Sequence, residues 1–324
     1  MTINNAKAPI IFLMGPTASG KTALAIDLYQ DAIVNASEQN CGYEIISVDS
    51  AMVYTQMNIG SAKPSDKELV LAPHHLIDFI DPKESYSVSQ FCDDAKSLIN
   101  DVHERGKIPL LVGGSMLYFK ALKEGLADMP QTDDDIRRQV KTELDEKGLA
   151  HLHHELNKID PDMAARLHVN DSQRITRAIE VFRMTGKALS TWHFEQKQQA
   201  LINPLLSIAL APKDRKILHQ RIEQRFKRMI ESGFLDEVAK LYYRGDLNLD
   251  CPSMRSVGYR QIWQYMDGEL SLSEAKERAV IATRQLAKRQ YTWLRSWSDV
   301  RWFDPTKEKD LIDAKQVINS FIGS

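Results

Sequence analysis

The chain has 324 residues, of which 43% are hydrophobic and 27% charged, and its formal net charge is −2. This composition is typical of one large or two modest globular domains with a proper core, and it excludes disorder as the main state. No apolar run approaches the roughly 20 residues of a membrane helix, and the run before Gly15 is shorter than the ~7 residues of a signal-peptide core, so we expect a cytoplasmic protein that does not enter a membrane.

Three short apolar runs in the first half predict strands, because each ends at a glycine or a polar turn. They are Pro9–Met14, Glu44–Val48 and Ile108–Val112. Before the third run, apolar residues recur at helical spacing from Ser87 to Arg105, with Ser87 as the expected N-cap and Gly106 as the expected stop. Strands that alternate with helices in this way predict an α/β fold with a parallel sheet covered by helices.

A phosphate-binding motif follows the first predicted strand, because the sequence there fits GxxxxGK[ST] and leads into a helical pattern. Its glycines let backbone N–H groups surround phosphate oxygens, its lysine neutralises the outer phosphate, and its last hydroxyl can ligate Mg²⁺. The predicted fold is therefore P-loop NTPase-like, although the motif does not reveal which phosphorylated molecule binds. The loop comprises Gly15, Pro16, Thr17, Ala18, Ser19, Gly20, Lys21 and Thr22, with Thr22 as the expected magnesium ligand.

Asp49 lies at the end of the second predicted strand, where open parallel sheets bind ligands. Three roles fit a carboxylate at this place. It can order a magnesium-bound water in phosphoryl transfer, act as a general base toward a substrate, or cap the following turn. The position at a strand end favours a functional role.

From about residue 130 the strand-like runs disappear, and short helices follow one another to about residue 199. The run Leu205–Ala211 then predicts a strand that returns to the core, and long helices follow near 213–232 and 271–297. We therefore expect a discontinuous core, 1–129 with 204–324, and an inserted all-helical domain at 130–203. The predicted helices of the insertion are 133–147, 161–168 and 172–185.

Positive charge is concentrated in the second half of the chain. Residues 1–150 hold 14 Lys and Arg against 22 Asp and Glu, whereas residues 151–324 hold 28 against 22. Two helix faces and two shorter clusters carry much of it, which suits contact with a polyanion, although solvated basic helices give the same pattern. These groups are Arg221, Arg225 and Arg228; Arg284, Lys288, Tyr291 and Arg295, with an aromatic ring available for stacking; Gln173, Arg174 and Arg177; and 255–260.

The cysteines and histidines carry little signal. Cys41, Cys92 and Cys251 lie far apart without a CxxC pair, which predicts reduced thiols rather than disulfides or a zinc site. His151, His153 and His154 form no pair spaced four residues apart on a helix, so we expect a surface cluster rather than a metal site.

Seven segments together resemble one known family. They are GPTASGKT at 15–22, ISVDSAMVY at 46–54, IGSAKP at 59–64, LLVGGSMLYFKAL at 110–122, QRITRAIEV at 173–181, RSVGYRQ at 255–261 and TRQLAKRQYTWLR at 283–295. In this order and spacing they resemble the bacterial tRNA dimethylallyltransferases, also called tRNA isopentenyltransferases, over nearly the whole chain.

The resemblance implies transfer of a dimethylallyl group from dimethylallyl diphosphate to N6 of adenosine 37, beside the anticodon of tRNA, with Mg²⁺ present. It implies that the loop at 15–22 holds the diphosphate of the prenyl donor and that ATP is not consumed. The helical insertion would grip the anticodon stem-loop. We expect a monomer whose partners are tRNA and dimethylallyl diphosphate.

The resemblance also assigns residues. Asp49 matches the family's base, Thr17 and Lys21 lie in its donor loop, and Arg225 best matches its diphosphate arginine. Many members have threonine where Ser115 stands, so this chain keeps the hydroxyl without the methyl group. The tRNA contacts carry over to Asp49, Ser50, Ala51, Met52, Ser115, Arg137, Gln173, Arg174, Ile175, Thr176, Arg177, Arg255, Ser256, Val257, Gly258, Tyr259, Arg260, Lys288, Arg289, Gln290, Tyr291, Thr292, Trp293, Leu294 and Arg295.

Two other functions use the same phosphate-binding loop. A small-molecule or nucleotide kinase needs the loop but needs neither the basic aromatic helix near residue 290 nor an arginine-bearing insertion. A non-catalytic RNA-binding switch would bind a nucleotide and RNA and would form no covalent product.

Overall fold

The computed structural model describes residues 8–34, 42–126, 133–195 and 201–322. It divides into two compact units, which we call the sheet unit (Met1–Lys120 with Ile202–Ser324) and the helical unit (Ala121–Leu201). The sequence predicts domain boundaries at 129/130, a position outside the described residues, and at 203/204. The structure divides the chain between Lys120 and Ala121, nine residues before the first predicted boundary, and between Leu201 and Ile202, two residues before the second.

Six parallel strands form the centre of the sheet unit: β1 (Ile10–Met14), β2 (Tyr43–Val48), β3 (His74–His75), β4 (Ile108–Gly113), β5 (Leu205–Leu210) and β6 (Val300–Phe303). Their order across the sheet is β3-β2-β4-β1-β5-β6. The four strands that the sequence predicted, β1, β2, β4 and β5, agree with the predicted runs to within one residue at each end. The P-loop NTPase-like parallel sheet is therefore confirmed.

Helices cover the strands or form the helical unit. Along the described part of the chain they are α1 (Lys21–Val34), α2 (Asp66–Leu71), α3 (Val88–Glu104), α4 (Met116–Glu124), α5 (Asp134–Lys147), α6 (Leu149–Ile159), α7 (Pro161–Arg166), α8 (Ser172–Thr185), α9 (Leu189–Glu195), α10 (Arg215–Glu231), α11 (Phe234–Tyr242), α12 (Tyr259–Met266), α13 (Leu272–Arg295) and α14 (Glu308–Ile322). Among these described helices none is long and apolar enough to cross a bilayer.

The predicted cap of α3 is confirmed. The Ser87 side chain accepts a hydrogen bond from the backbone N–H of Gln90, and the Gln90 side chain accepts one from the N–H of Ser87, which forms a capping box. The helix ends at Glu104, two residues before Gly106, whose φ of +67° is the left-handed conformation that ends helices.

Side chains alternate between the two faces of the sheet along each strand, and both faces are buried. On one face, Ile11 and Leu13 of β1 pack in a cluster with Leu24 and Leu28 of α1. On the other face, Phe12 meets Phe119 of α4, with the two ring centroids 4.9 Å apart. All five residues of β1 are fully buried, so the loop that follows β1 leaves from the centre of the core.

The helical unit has an apolar core of its own, formed by α5 to α9. Two aspartates cap its helices: Asp160 accepts from the N–H of Met163 at the start of α7, and Asp171 accepts from the N–H of Arg174 at the start of α8. The predicted helices at 133–147 and 172–185 agree with α5 and α8, and α7 ends at Arg166, two residues earlier than predicted.

The described cysteines are free thiols, as expected. Burial raises the pKa of Cys92 to about 11, so this thiol is inert at neutral pH. Cys41 lies outside the described residues.

Candidate active site

The strand registers bring three segments of the sheet unit to one edge of the sheet. Gly113 at the end of β4 pairs with both Met14 of β1 and Val48 of β2. The phosphate-binding loop, Asp49 and the 114–115 turn therefore leave the sheet side by side. A cavity of about 1200 Å³ opens there and is also lined by residues of α10, α13 and the loop before α12.

The phosphate-binding loop has the compact, curled shape that its motif predicts. Ala18 and Gly20 have φ values of +62° and +95°, and Lys21 turns back so that its Nζ donates to the carbonyl of Pro16 at 2.8 Å. Gly15 is required because a Cβ there would lie 2.3 Å from the carbonyl oxygen of Leu210. Lys21 and Thr22 form the first turn of α1, so the positive end of the helix dipole faces the cavity.

Burial disfavours the positive charges of two cations in the cavity. Burial lowers the pKa of Lys21 to about 7, with the positive charge of Arg225 acting in the same direction and the negative charge of Asp49 opposing it. The pKa of Arg225 is also lowered by burial, while Asp49 again opposes the shift. The Nη2 of Arg225 donates to Oγ1 of Thr17 at 2.7 Å. The site is thus prepared for an anion that would stabilise both charges.

Asp49 fills one of the three roles that the sequence left open, and its charge also acts on the cations of the cavity. Its Oδ1 accepts hydrogen bonds from the backbone N–H groups of Ala51 and Met52 at 2.8 and 3.2 Å, so it caps the turn after β2. Its charge also acts on Lys21 and Arg225 across the cavity. The turn is tied to the neighbouring loop because the N–H of Ser50 donates to Oγ of Ser115 at 3.1 Å.

Gln290 links two loops of the site, and the sequence analysis did not predict this link. The N–H of Thr17 donates to its Oε1, and its Nε2 donates to the carbonyl of Gly114, each at 2.8 Å. The side chain is only 7% exposed. The sequence signal was its place on the buried stripe of α13 that also carries Ala287 and Leu294, three residues before and four residues after it.

Other members of the predicted 288–295 contact segment also point into the core. Tyr291 was expected to offer its ring for stacking, but the ring packs in a cluster with Leu218 and Ile222 of α10. Its hydroxyl donates to the carbonyl of Pro212 at 2.6 Å. The expectation of a stacking Tyr291 is therefore wrong, because a tyrosine spaced four residues from Ala287 falls on the buried stripe of the helix.

The remaining predicted contact residues divide by exposure. In the sheet unit, Ser50, Arg255, Arg260, Lys288, Arg289, Thr292 and Arg295 are exposed, Ala51, Met52, Ser115, Ser256, Val257 and Trp293 are half-buried, and Gly258, Tyr259 and Leu294 are buried. In the helical unit, Arg137, Gln173 and Arg174 are exposed, Thr176 and Arg177 are half-buried, and Ile175 is fully buried in the core of that unit. The side chains of Ile175, Tyr259 and Leu294 are fully buried, so the prediction that they contact tRNA is wrong for these side chains.

The loop at 58–63 forms another wall of the cavity, and two partly buried charges that the sequence analysis missed hold it in place. The carboxylate of Glu237 accepts from the N–H groups of Asn58, Ile59 and Gly60 at 2.7 to 3.0 Å, and from the hydroxyl of Tyr259 at 2.5 Å. The Nζ of Lys63 donates to Tyr54, Asn58 and Asp78. A Cβ on Gly60 would lie 2.1 Å from the ring of Phe234, which explains the glycine in the IGSAKP segment.

In the described residues, the cluster of His, Cys, Asp and Glu with metal-ligand spacing is Glu143, His151 and Glu155 of the helical unit. Arg183 donates to both carboxylates, at 2.6 Å to Glu143 and 2.8 Å to Glu155, so the cluster is an ion-pair network. The pKa of Glu143 is held at about 2 by hydrogen bonds from Lys147 and Arg183. In the sheet unit, the Thr22 hydroxyl and the Asp49 carboxylate line one cavity and are the hard oxygen donors that Mg²⁺ prefers.

Comparison with known proteins gives a consistent result. Residues 52–297 match the family model described as IPP transferase. The full-length tRNA isopentenylpyrophosphate transferase from Bacillus halodurans is 36% identical, with a TM-score of 0.70 over 98% of this chain and 97% of that one. The tRNA delta(2)-isopentenylpyrophosphate transferase from Staphylococcus epidermidis is 32% identical, with a TM-score of 0.67 over 97% and 99%. A eukaryotic dimethylallyltransferase acting on tRNA is 27% identical, with a TM-score of 0.79 over 97% of this chain and 77% of that one.

Proposed function

Since the chain belongs to the IPP transferase family and is a tRNA prenyltransferase, we propose that it moves a dimethylallyl group from dimethylallyl diphosphate to N6 of adenosine 37 beside the tRNA anticodon. The observation that carries the proposal is one cavity that holds a diphosphate cradle, with Lys21 and Arg225, beside the carboxylate of Asp49. We further propose that the enzyme acts as a monomer in the cytoplasm.

Asp49 would act as the general base. The exocyclic amine of adenine is a poor nucleophile because its lone pair is delocalised into the ring, so a carboxylate that accepts its proton as the C–N bond forms lowers the barrier. Both backbone N–H groups of the turn bind Oδ1, which leaves the second carboxylate oxygen to accept the proton. The turn also fixes the direction of the carboxylate before substrate arrives.

The departing diphosphate gains negative charge as the bond between carbon and oxygen breaks. Lys21, Arg225 and the N–H groups of the loop stabilise this charge more strongly than they stabilise the bound ester. Burial lowers the pKa of Lys21 to about 7, and the negative charge of a bound diphosphate would raise that pKa and hold the ammonium charged. Thr22, with Asp49 near, would hold Mg²⁺, which supplies further neutralisation of the leaving group.

The prenyl chain needs an apolar surface that excludes water, because the transition state carries cationic character on carbon. Phe226 and the half-buried Met229 of α10 line the cavity beside Arg225, and the fully buried Phe234 of α11 lies behind them. Phe226 and Phe234 pack edge to face, with their ring centroids 6.3 Å apart. We propose that this wall receives the dimethylallyl group while the diphosphate occupies the loop.

The nucleic-acid partner would be the anticodon stem-loop of tRNA. Exposed cations support this, namely Arg255, Arg260 and Lys288 in the sheet unit and Arg137 and Arg174 in the helical unit. Phosphate contacts from such residues position the RNA. The adenine must leave its stack to enter the cavity, which costs less in a loop than in a duplex.

Analysis of tRNA nucleosides by mass spectrometry tests the proposal. Protein, unmodified tRNA, dimethylallyl diphosphate and Mg²⁺ are incubated, and a gain of one five-carbon unit on a single adenosine is expected. A parallel reaction with ATP and small-molecule acceptors tests for a kinase. Phosphate transfer from ATP, with no prenylated adenosine in the first reaction, would refute the proposed function.

A further inference from the structure

The amide of Gln290 makes two hydrogen bonds of opposite sense with two different loops. Its Oε1 accepts from the N–H of Thr17 and its Nε2 donates to the carbonyl of Gly114, each at 2.8 Å. A neutral amide offers an acceptor and a donor on one planar group, whereas a carboxylate offers acceptors alone and an ammonium donors alone. The two partners therefore fix both the identity and the orientation of this side chain.

Each loop belongs to one half of the reaction. Thr17 lies in the phosphate-binding loop, and its hydroxyl accepts from Arg225 at 2.7 Å. Gly114 precedes Ser115, whose N–H donates to the carbonyl of Val48 at 3.2 Å and whose Oγ accepts from the N–H of Ser50 at 3.1 Å. These last two contacts flank Asp49 on either side. Gln290 thus joins the loop that would hold the donor to the turn that would hold the base.

The Gln290 side chain is closely packed against the backbone at Gly114. A Cβ on Gly114 would lie 2.4 Å from Nε2 of Gln290, so the glycine is what lets the amide reach the backbone. Gln290 is 7% exposed and comes from the middle of a well-packed stretch of α13, between the buried Ala287 and Leu294. Its position is therefore set by the packing of the helix rather than by solvent.

We propose that Gln290 is a positioning residue for prenyl transfer, which sets the geometry of the donor loop relative to the Asp49 turn. This inference rests on the proposed function. It predicts an effect on turnover rather than on binding, because each loop keeps its own ligand contacts when the link between them is lost. A misplacement of about 1 Å between reacting groups can cost about a hundredfold in rate.

Gln290→Met is the first test, since methionine is similar in length and forms neither hydrogen bond. We expect kcat to fall at least about tenfold, while KM for dimethylallyl diphosphate and for tRNA stays within about threefold of the wild-type value. Gln285→Met, an exposed position on the same helix, is the matched control and should keep wild-type kcat. A fall in kcat no larger than that of the control would overturn the proposal.

Gln290→Glu gives a sharper test that also works if the first variant is unstable. Ionised glutamate repels the carbonyl of Gly114, but protonated glutamate carries one O–H donor and one carbonyl acceptor and can restore both bonds. The ratio of the kcat of Gln290→Glu to the wild-type kcat should rise several-fold as the pH falls from about 8 to about 6. Dividing by the wild-type value removes the effect of groups that titrate in both proteins, such as Lys21. The same ratio for Gln285→Glu should stay flat. A flat ratio for Gln290→Glu would contradict the proposal.

Failure of the proposed function is visible separately, because wild-type protein would then form no prenylated adenosine. In that case the hydrogen bond between Gln290 and Thr17 is tested by measuring amide hydrogen exchange in a peptide that contains Thr17. Its exchange should be faster in Gln290→Met than in wild type or Gln285→Met, since the amide loses its acceptor. Unchanged exchange would overturn the link whether or not the enzyme is active.

Discussion

The guanidinium of Arg225 in α10 donates a hydrogen bond to the hydroxyl of Thr17 in the phosphate-binding loop, at 2.7 Å. The contact holds a partly buried positive charge at the rim of the loop, and the negative charge of Asp49 partly offsets it. A diphosphate in the loop would therefore meet an arginine already held in place, which reduces the reorganisation needed during the reaction.

Removal of that charge should weaken donor use. For Arg225→Gln we expect kcat/KM for dimethylallyl diphosphate to fall at least about a hundredfold, because a charge-assisted hydrogen bond to the leaving group is lost. Steady-state kinetics at saturating tRNA measure it. Lys227→Gln, on the exposed side of the same helix, is the control and should leave kcat/KM within about twofold. Equal values for both variants would remove Arg225 from the diphosphate site.

The two roles of Asp49 can be separated. Asparagine keeps an Oδ1 that accepts from Ala51 and Met52 but cannot take a proton from an amine, whereas alanine loses both functions. We expect Asp49→Asn and Asp49→Ala each to lower kcat at least about a hundredfold, with far smaller changes in tRNA affinity. Single-turnover assays and filter binding measure the two quantities. Near-normal turnover of Asp49→Asn would reduce Asp49 to a turn cap.

The lowered pKa of Lys21 predicts a pH-dependent stability. Between the folded pKa of about 7 and the ordinary value of 10.5, the unfolded chain binds more protons, so the free energy of unfolding rises with pH in that window. Lys21→Met removes this rise. Urea denaturation should show wild type gaining more than about 1 kcal/mol relative to Lys21→Met from about pH 6.5 to about pH 9. A constant difference would show that Lys21 has an ordinary pKa.

Arg174 should contribute to tRNA binding through charge. Its side chain is 70% exposed and lies 3.6 Å from Asp171, a weak surface pair that leaves it accessible. For Arg174→Ala we expect weaker tRNA binding and a salt dependence flatter by about one unit of slope in log Kd against log salt concentration. Arg138→Ala, exposed in the same unit and absent from the predicted contacts, is the control with an unchanged slope. An unchanged slope for Arg174→Ala would make that residue ordinary solvated surface.

Tyr291→Phe should affect folding and leave recognition intact. The variant leaves the carbonyl of Pro212 without its buried hydroxyl donor, which costs about 1–3 kcal/mol of unfolding free energy. Urea denaturation measures the loss, and tRNA affinity should stay within about twofold, because the ring is packed in the core. A large loss of tRNA affinity without destabilisation would restore the stacking role that burial excludes.

Much of the sheet unit was predictable because its signals are local. A buried parallel strand reads as a short apolar run, and the loop after β1 carries its chemistry in consecutive residues, from Gly15 to Thr22. The Ser87 cap has the same character, since both of its hydrogen bonds join residues three positions apart. Such features do not depend on which distant segment comes near.

Two of the features that sequence reasoning missed depend on distant partners. Gln290 reaches Thr17, 273 positions earlier, and Glu237 reaches the N–H of Asn58, 179 positions earlier. The buried stripe of α13 indicates that Gln290 is buried but not which loops it contacts, and the residues next to Glu237 in sequence do not indicate its partners. Tyr291 shows the converse error, because a helix of mixed basic and aromatic residues has the same composition whether its aromatic ring faces RNA or packs against α10.

The strand order of the sheet has a consequence for synthesis on the ribosome. β1 pairs with β4 on one side, but its other neighbour, β5, is translated only after the whole helical unit has emerged. During that interval one edge of β1 lacks its hydrogen-bonding partner, while the helices at 133–195 can already assemble around their own apolar core. Nascent chains should therefore become protease-resistant in the middle before their amino-terminal strand does, which reverses the order of translation.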